Sequence, residues 1–183
     1  QAWQKLGFNH INIAVNIVAQ QIQRGQLLSD LDDILETYAI IGRNLVLEIT
    51  ESAFLENTDT VKMVLKAIKE RDISIALDDF GTGYSGLSYR HDLHIDYIKI
   101  DHSFVGRVNA DPESTRILDC VLDLARKLSI SIVAESVETK EQLDYLNQNN
   151  ITFQQGYYFY KPVTYIDLVK IILSKPKVKV VVE

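Results

Sequence analysis

Six apolar, β-branched runs in this chain end on a side chain that could bind a metal or move a proton. Ile11–Ile17 ends on Asn16. Leu45–Thr50 holds Glu48, with Glu51 just beyond. Ile73–Leu77 stops at the adjacent pair Asp78 and Asp79. Ile95–Ile100 holds Lys99 and is followed by Asp101. Ile130–Ala134 stops at Glu135, with Glu138 close behind, and Ile151–Phe153 leads to Gln155. One polar residue at a strand end is usually the start of a loop. Six in series, all of ligand or acid–base type, form a candidate site. Gathering so many carboxylates is costly in desolvation and repulsion unless cations sit among them.

The ligand types indicate the cation. The set is carboxylates and amide oxygens, without cysteine, and His10, His91, His94 and His102 fall away from the strand ends. Hard oxygen donors favour Mg²⁺ or Mn²⁺ over zinc. The stretch Ile75–Tyr84, IALDDFGTGY, then becomes intelligible. Adjacent aspartates at a strand end are tolerated when divalent ions lie between them. One carboxylate bridging two metals about 3.5–4 Å apart suits phosphoester hydrolysis, because both the attacking and the leaving oxygen are stabilised. The Gly81-Thr82-Gly83 turn lets the backbone bend sharply beside such a site.

The elements that must position these residues alternate. Between the strand runs lie helical patterns: Leu27, Leu28, Leu31, Ile34, Leu35 and Tyr38; Val61, Val64, Leu65 and Ile68; and Ile117, Val121, Leu124 and Leu128. Asp111-Pro112 reads as an N-cap with proline at the first helical position. Thr139–Gln142 is a capping box opening a further helix, and Val163–Leu173 reads as the last helix, closed by Pro176. Strand–helix alternation implies a mostly parallel sheet, either open and doubly wound or closed as a (β/α)8 barrel. A barrel typically needs eight strands, and about six are legible. In either architecture the strand C-termini carry the active site. No linker divides the chain, so one domain over 1–174 is expected, with 175–183 a tail that could add an edge strand.

Bulk composition narrows the function classes. The 183 residues are 46% hydrophobic and 24% charged, as in an ordinary globular domain. No apolar run is long enough to span a membrane. A net charge of −6 without a Lys/Arg block argues against binding DNA or RNA polymers. The single cysteine, Cys120, provides no disulfide or thiol metal site, and fits a reducing cytoplasm.

At the same residues the sequence resembles the EAL domain family of bacterial cyclic di-GMP phosphodiesterases. The matching stretches are VNI at Val15–Ile17, LEITES at Leu47–Ser52, DDFGTGYSGLSY at Asp78–Tyr89, IDYIKIDHSFV at Ile95–Val105, VAESVET at Val133–Thr139 and QGYYFYKP at Gln155–Pro162. The resemblance implies a TIM-like barrel with one antiparallel strand, a two-metal Mg²⁺ or Mn²⁺ site, and hydrolysis of cyclic di-GMP to linear pGpG by an in-line water. It implies Asn16, Glu48, Asp78 and Asp79 as metal ligands and Glu135 as the general base. Lys99 would hold the water or the developing phosphate charge. Gln155 and Asp101 would be substrate-binding, and Glu51 and Glu138 would anchor loops. It further implies a homodimer without direct membrane contact, in a parent protein carrying sensory or GGDEF modules.

The sequence departs from the family pattern in places. The family has Gly where Ser136 stands, Ser where Gly86 stands, and often Pro where His94 stands; these changes are expected to be mild. The Glu-Ala-Leu motif itself belongs to a strand before Ile11 and is not among these residues. The expectation is therefore an N-terminally incomplete barrel, with about six of eight strands. Such a chain would bind metal poorly and turn over slowly in isolation, and its open edges would invite strand exchange or dimerisation. Two alternatives to an enzyme follow: a non-catalytic cyclic di-GMP receptor, and a dimerisation scaffold.

Overall fold

The computed structural model describes residues 11–50, 58–80, 95–106, 112–174 and 181–182. These fall into two compact units, divided between Lys99 and Ile100, with Val182 grouped with the first. Among the described residues no helix is long and apolar enough to cross a membrane.

The first unit is built on four neighbouring strands: β1 (Asn12–Ile17), β2 (Leu45–Thr50), β3 (Ser74–Phe80) and the start of β4 (Tyr97–Ile100). β1 and β2 pair in parallel, as do β2 and β3. The helices between them are α1 (Ala19–Gln23), α2 (Leu27–Thr37) and α3 (Thr58–Lys69). Register decides the chemistry. Asn16 lies opposite Glu48, and Glu48 opposite Ala76. Side chains alternate along a strand, so Ala14, Asn16, Val46, Glu48, Ala76 and Asp78 share one face. Leu47, Ile49, Ile75 and Leu77 are buried on the other. A charged residue thus takes one place in a row whose neighbour on β3 is only an alanine. α3 packs on β3 and buries Val61, Leu65 and Ile68, three of the four positions its periodicity selects.

The second unit contains Ile100, α4 (His102–Val105), α5 (Pro112–Lys127), β5 (Ser131–Ala134), α6 (Lys140–Gln148), β6 (Phe153–Gln154) and α7 (Tyr165–Ser174). β5 and β6 are parallel. The capping box is formed: Gln142 N–H donates to Thr139 Oγ1 at 3.3 Å, and Thr139 N–H donates to Gln142 Oε1 at 3.0 Å. α5 differs from expectation. It buries Leu118, Leu122 and Ala125, while Ile117 is 48% exposed and Leu128 is also exposed. Its apolar arc is wide enough to contain two stripes at helical spacing, and packing on β5 selects the inner one. Three short elements carry too few residues to show a period: α1, α4 and the 3-10 turn Gly42–Asn44. The short β7 spans Val181–Val182.

The helix-to-strand turns repeat one design without glycine. Ala39, Asp72, Ser129 and Asn150 each follow a helix with φ between +48° and +61°, and each precedes an isoleucine. At three of them the paired hydrogen bonds of a Schellman cap close the helix. After α5, for example, Ile130 N–H donates to Ala125 O at 2.9 Å and Ser129 N–H to Arg126 O at 3.1 Å. After Asp72, Ser129 and Asn150 the isoleucine starts the next apolar run. An L-residue in the left-handed region costs about 1–2 kcal/mol, against about 0.5–1 kcal/mol for the greater unfolded freedom of glycine. Ser129→Gly should therefore raise stability by about 0.5–1 kcal/mol, and Ser129→Val should lower it. Urea denaturation midpoints at constant m-value check both.

Candidate active site

In the first unit, Glu48 and Lys99 are each 3% exposed. Lys99 Nζ donates to Glu48 Oε2 at 2.6 Å and lies 3.2 Å from Asp78 Oδ1. β3 stands between β2 and β4, so the lysine reaches over it to the strand beyond. Ala76, the β3 residue opposite Glu48, leaves that path open. Asn16 occupies the matching position on β1 and is exposed.

Asp78 and Asp79 lie near the end of β3, which runs on to Phe80, and differ in conformation. Asp78 keeps extended geometry on the Glu48 face, and its Oδ1 accepts from Asp79 N–H at 3.0 Å. Asp79 has φ +54°, a left-handed conformation that aspartate tolerates better than most residues. Asp78 is half-buried, whereas Asp79 is exposed.

Three carboxylates and one ammonium give Glu48, Asp78, Asp79 and Lys99 a formal charge of −2 when all are ionised. Among the described residues no three Asp, Glu, His or Cys side chains converge closely enough to hold a metal ion by themselves. The amide oxygen of Asn16 is a further hard donor in register with Glu48. The donor chemistry and the net negative charge fit a divalent cation. The geometry shown is that of an internal ammonium bridging two of the donors.

In the second unit, three of the expected residues follow neighbouring strand ends. Glu135 N–H donates to Ile100 O at 3.1 Å, and Gln155 N–H donates to Ala134 O at 2.8 Å. Val137 N–H returns to Gln155 O at 2.9 Å, so Glu135 and Gln155 are tied into one backbone lattice. Gln155 Oε1 is buried without a hydrogen-bond partner among the described residues. A buried acceptor of this kind normally finds a donor, so it is a place for one to arrive. Gly156 follows with φ +154°, and a Cβ there would overlap the Val137 backbone.

Asp101 caps α4: its Oδ1 accepts from Ser103 N–H at 2.6 Å. Burial works against its charge, but hydrogen bonds from Ser103 and His102 outweigh it and hold the carboxyl below its usual range. Ser136 has φ +55°, so the glycine of the family pattern is replaced by a residue in the left-handed region. Glu138 is exposed, and its N–H donates to Gln142 Oε1 at 2.7 Å. Glu51, the Gly81–Gly83 turn, Gly86 and His94 lie outside the described residues. Sequence reasoning passed over Asp96. It accepts both from Lys69 and from a β3 backbone N–H, and nothing in a lone aspartate before a strand signals that.

Comparison with known proteins gives the family. The EAL domain model matches residues 1–162, and the chain belongs to the EAL domain family. It is 70% identical over 172 residues to the probable cyclic di-GMP phosphodiesterase PdeG of Escherichia coli (strain K12), covering 94% of this chain and 34% of that protein. The chain thus spans about a third of that relative's length. It resembles the PaMucR phosphodiesterase in complex with c-di-GMP, with a TM-score of 0.87 and 32% identity over 91% of this chain and 68% of that one. It also resembles Klebsiella pneumoniae BlrP1 in its manganese and cyclic di-GMP complex, with a TM-score of 0.79 and 29% identity over 87% of this chain and 41% of that one. The fold is therefore α/β of the EAL TIM-barrel type, in a family that includes divalent-metal complexes.

Two outcomes follow from the geometry. In chelator, Lys99→Met should destabilise the chain by about 3–5 kcal/mol, because Glu48 is left buried without its counter-charge. The double variant Lys99→Met/Glu48→Gln should recover most of that loss in chemical denaturation. Separately, Asp101 has a depressed folded pKa. Its contribution is full above its ordinary value of 3.8 and fades as pH falls through the lower folded value. The stability difference between wild type and Asp101→Asn should be flat from pH 7 to pH 5 and shrink below about pH 4.

Proposed function

We propose that the chain is the phosphodiesterase domain of a cyclic di-GMP-hydrolysing protein, with residues 1–174 forming that domain. The observation that carries this reading is the buried Lys99 ammonium between Glu48 and Asp78, on strands of an EAL-family chain. In the reaction, water attacks one phosphorus of cyclic di-GMP and the P–O3′ bond breaks. The product is linear pGpG, with a 5′-phosphate and a free 3′-hydroxyl.

Asn16, Glu48, Asp78 and Asp79 would hold divalent ions, with Mg²⁺ or Mn²⁺ preferred. Once bound, these supply a water of lowered pKa and neutralise phosphate charge. Glu135 takes the proton from the attacking water as general base. Lys99 presents its ammonium to the phosphoryl oxygens as negative charge builds there. Gln155 offers its buried Oε1 to a substrate donor. Asp101 contacts substrate with the carboxylate oxygen that does not cap α4. Glu51 and Glu138 hold the loops beside the site. The parent protein brings sensory or GGDEF modules, acts in the cytoplasm and works as a homodimer.

The test is hydrolysis of cyclic di-GMP by the chain with Mn²⁺ or Mg²⁺, read as pGpG by chromatography. Turnover should fall by about 10²–10⁴-fold in Glu135→Ala, the range for losing a general base. Cyclic di-GMP binding without turnover in wild type would replace this reading with that of a receptor. Absence of both binding and turnover at any metal concentration would leave a scaffold.

A further inference from the structure

Asp96 makes an unusual set of contacts for a residue that precedes a strand. Its two carboxylate oxygens accept from Lys69 Nζ at 2.7 and 2.6 Å. Oδ2 also accepts from Ile75 N–H at 2.8 Å, and the Asp96 N–H donates to Ile75 O at 2.9 Å. Both main-chain groups of Ile75 are therefore held by one residue of the neighbouring segment. The carboxylate stands where a strand carbonyl would ordinarily accept in a parallel ladder. Lys69, in the last turn of α3, supplies the counter-charge that keeps it there.

The location gives the clamp its consequence. Ile75 is fully buried and adjoins Ala76, the β3 residue in register with Glu48. Asp96 lies three residues before Lys99. The clamp fixes the start of β4 against the row that carries Glu48. Lys99 then has only three residues of strand over which to drift before it must meet Glu48 and Asp78. We propose that Asp96, braced by Lys69, is a positioning residue that sets Lys99 against Glu48 and Asp78. The phosphodiesterase reading is needed only for the activity consequence. An ammonium displaced by about 1 Å is enough to cost up to about 100-fold in rate.

The experiment follows the Lys99 ammonium directly. A buried, hydrogen-bonded lysine should give a slowly exchanging ¹⁵Nζ signal in the whole chain, assigned by its loss in Lys99→Met. In Asp96→Ala the signal should broaden or exchange at least about tenfold faster, while Asp96→Asn, which retains an acceptor for Ile75 N–H, should keep it. Lys69→Met should raise exchange severalfold, and this arm decides the matter if Asp96→Ala does not fold. In the turnover assay, kcat should fall about 10–100-fold in Asp96→Ala with KM within about twofold, and recover in Asp96→Asn. An unchanged Lys99 signal in Asp96→Ala, or in Lys69→Met where the alanine variant is unfolded, overturns the proposal. Loss of the signal in Asp96→Asn to the same degree as in Asp96→Ala also overturns it. If wild type shows no turnover, the functional reading fails while the ammonium signal still decides the positioning role.

Discussion

A single ammonium buried between two carboxylates organises the first unit. Lys99 and Glu48 are almost fully removed from water, and each charge would cost several kcal/mol to bury alone. Their 2.6 Å contact makes the burial tolerable but rigidly conditional. The lysine must cross β3, the residue beneath it must be small, and β4 must start at a fixed height. Ala76 meets the second condition and the Asp96–Ile75 contacts the third. Replacing the pair with apolar residues would be easier on stability, and its retention is understandable if the charges serve chemistry.

The strands and most of their polar ends were legible because they follow simple rules. The apolar run Leu45–Thr50 coincides with β2, and the register carries Asn16 and Glu48 to adjacent positions. The capping box at Thr139 was readable because its two partners are three residues apart and act locally. The helix ends were harder. They close in left-handed caps on Ala39, Asp72, Ser129 and Asn150, where glycine would have been the visible signal. The orientation of α5 was out of reach for a different reason. Two apolar stripes satisfy the same period, and only contact with β5 chooses Leu118, Leu122 and Ala125. Asp96 was invisible because its role depends on Lys69 and Ile75, 27 and 21 positions away in the chain.

Left-handed residues occur at strand ends as well as helix ends, and the physics differs. After a helix the conformation satisfies orphan carbonyls, so hydrogen bonds offset its cost. At Asp79, near the end of β3, and at Ser136, just past β5, it occurs beside the acidic residues Asp78 and Glu135. A strand that continued would point successive side chains to opposite faces. A left-handed residue interrupts that extended geometry directly after the acidic residue. Aspartate at 79 adopts this conformation with a small penalty, since its short polar side chain can bond locally. Serine at 136 has less to offset the penalty, which is why glycine suits the position in the family pattern. The departure at Ser136 therefore adds backbone strain next to Glu135 without altering the chemistry of the carboxylate. Strain of this kind persists only where the surroundings over-determine the fold. Around Glu135 they do: Ile100, Ala134, Val137 and Gln155 are joined by consecutive backbone hydrogen bonds. That lattice, more than any one side chain, holds the Glu135 backbone in place.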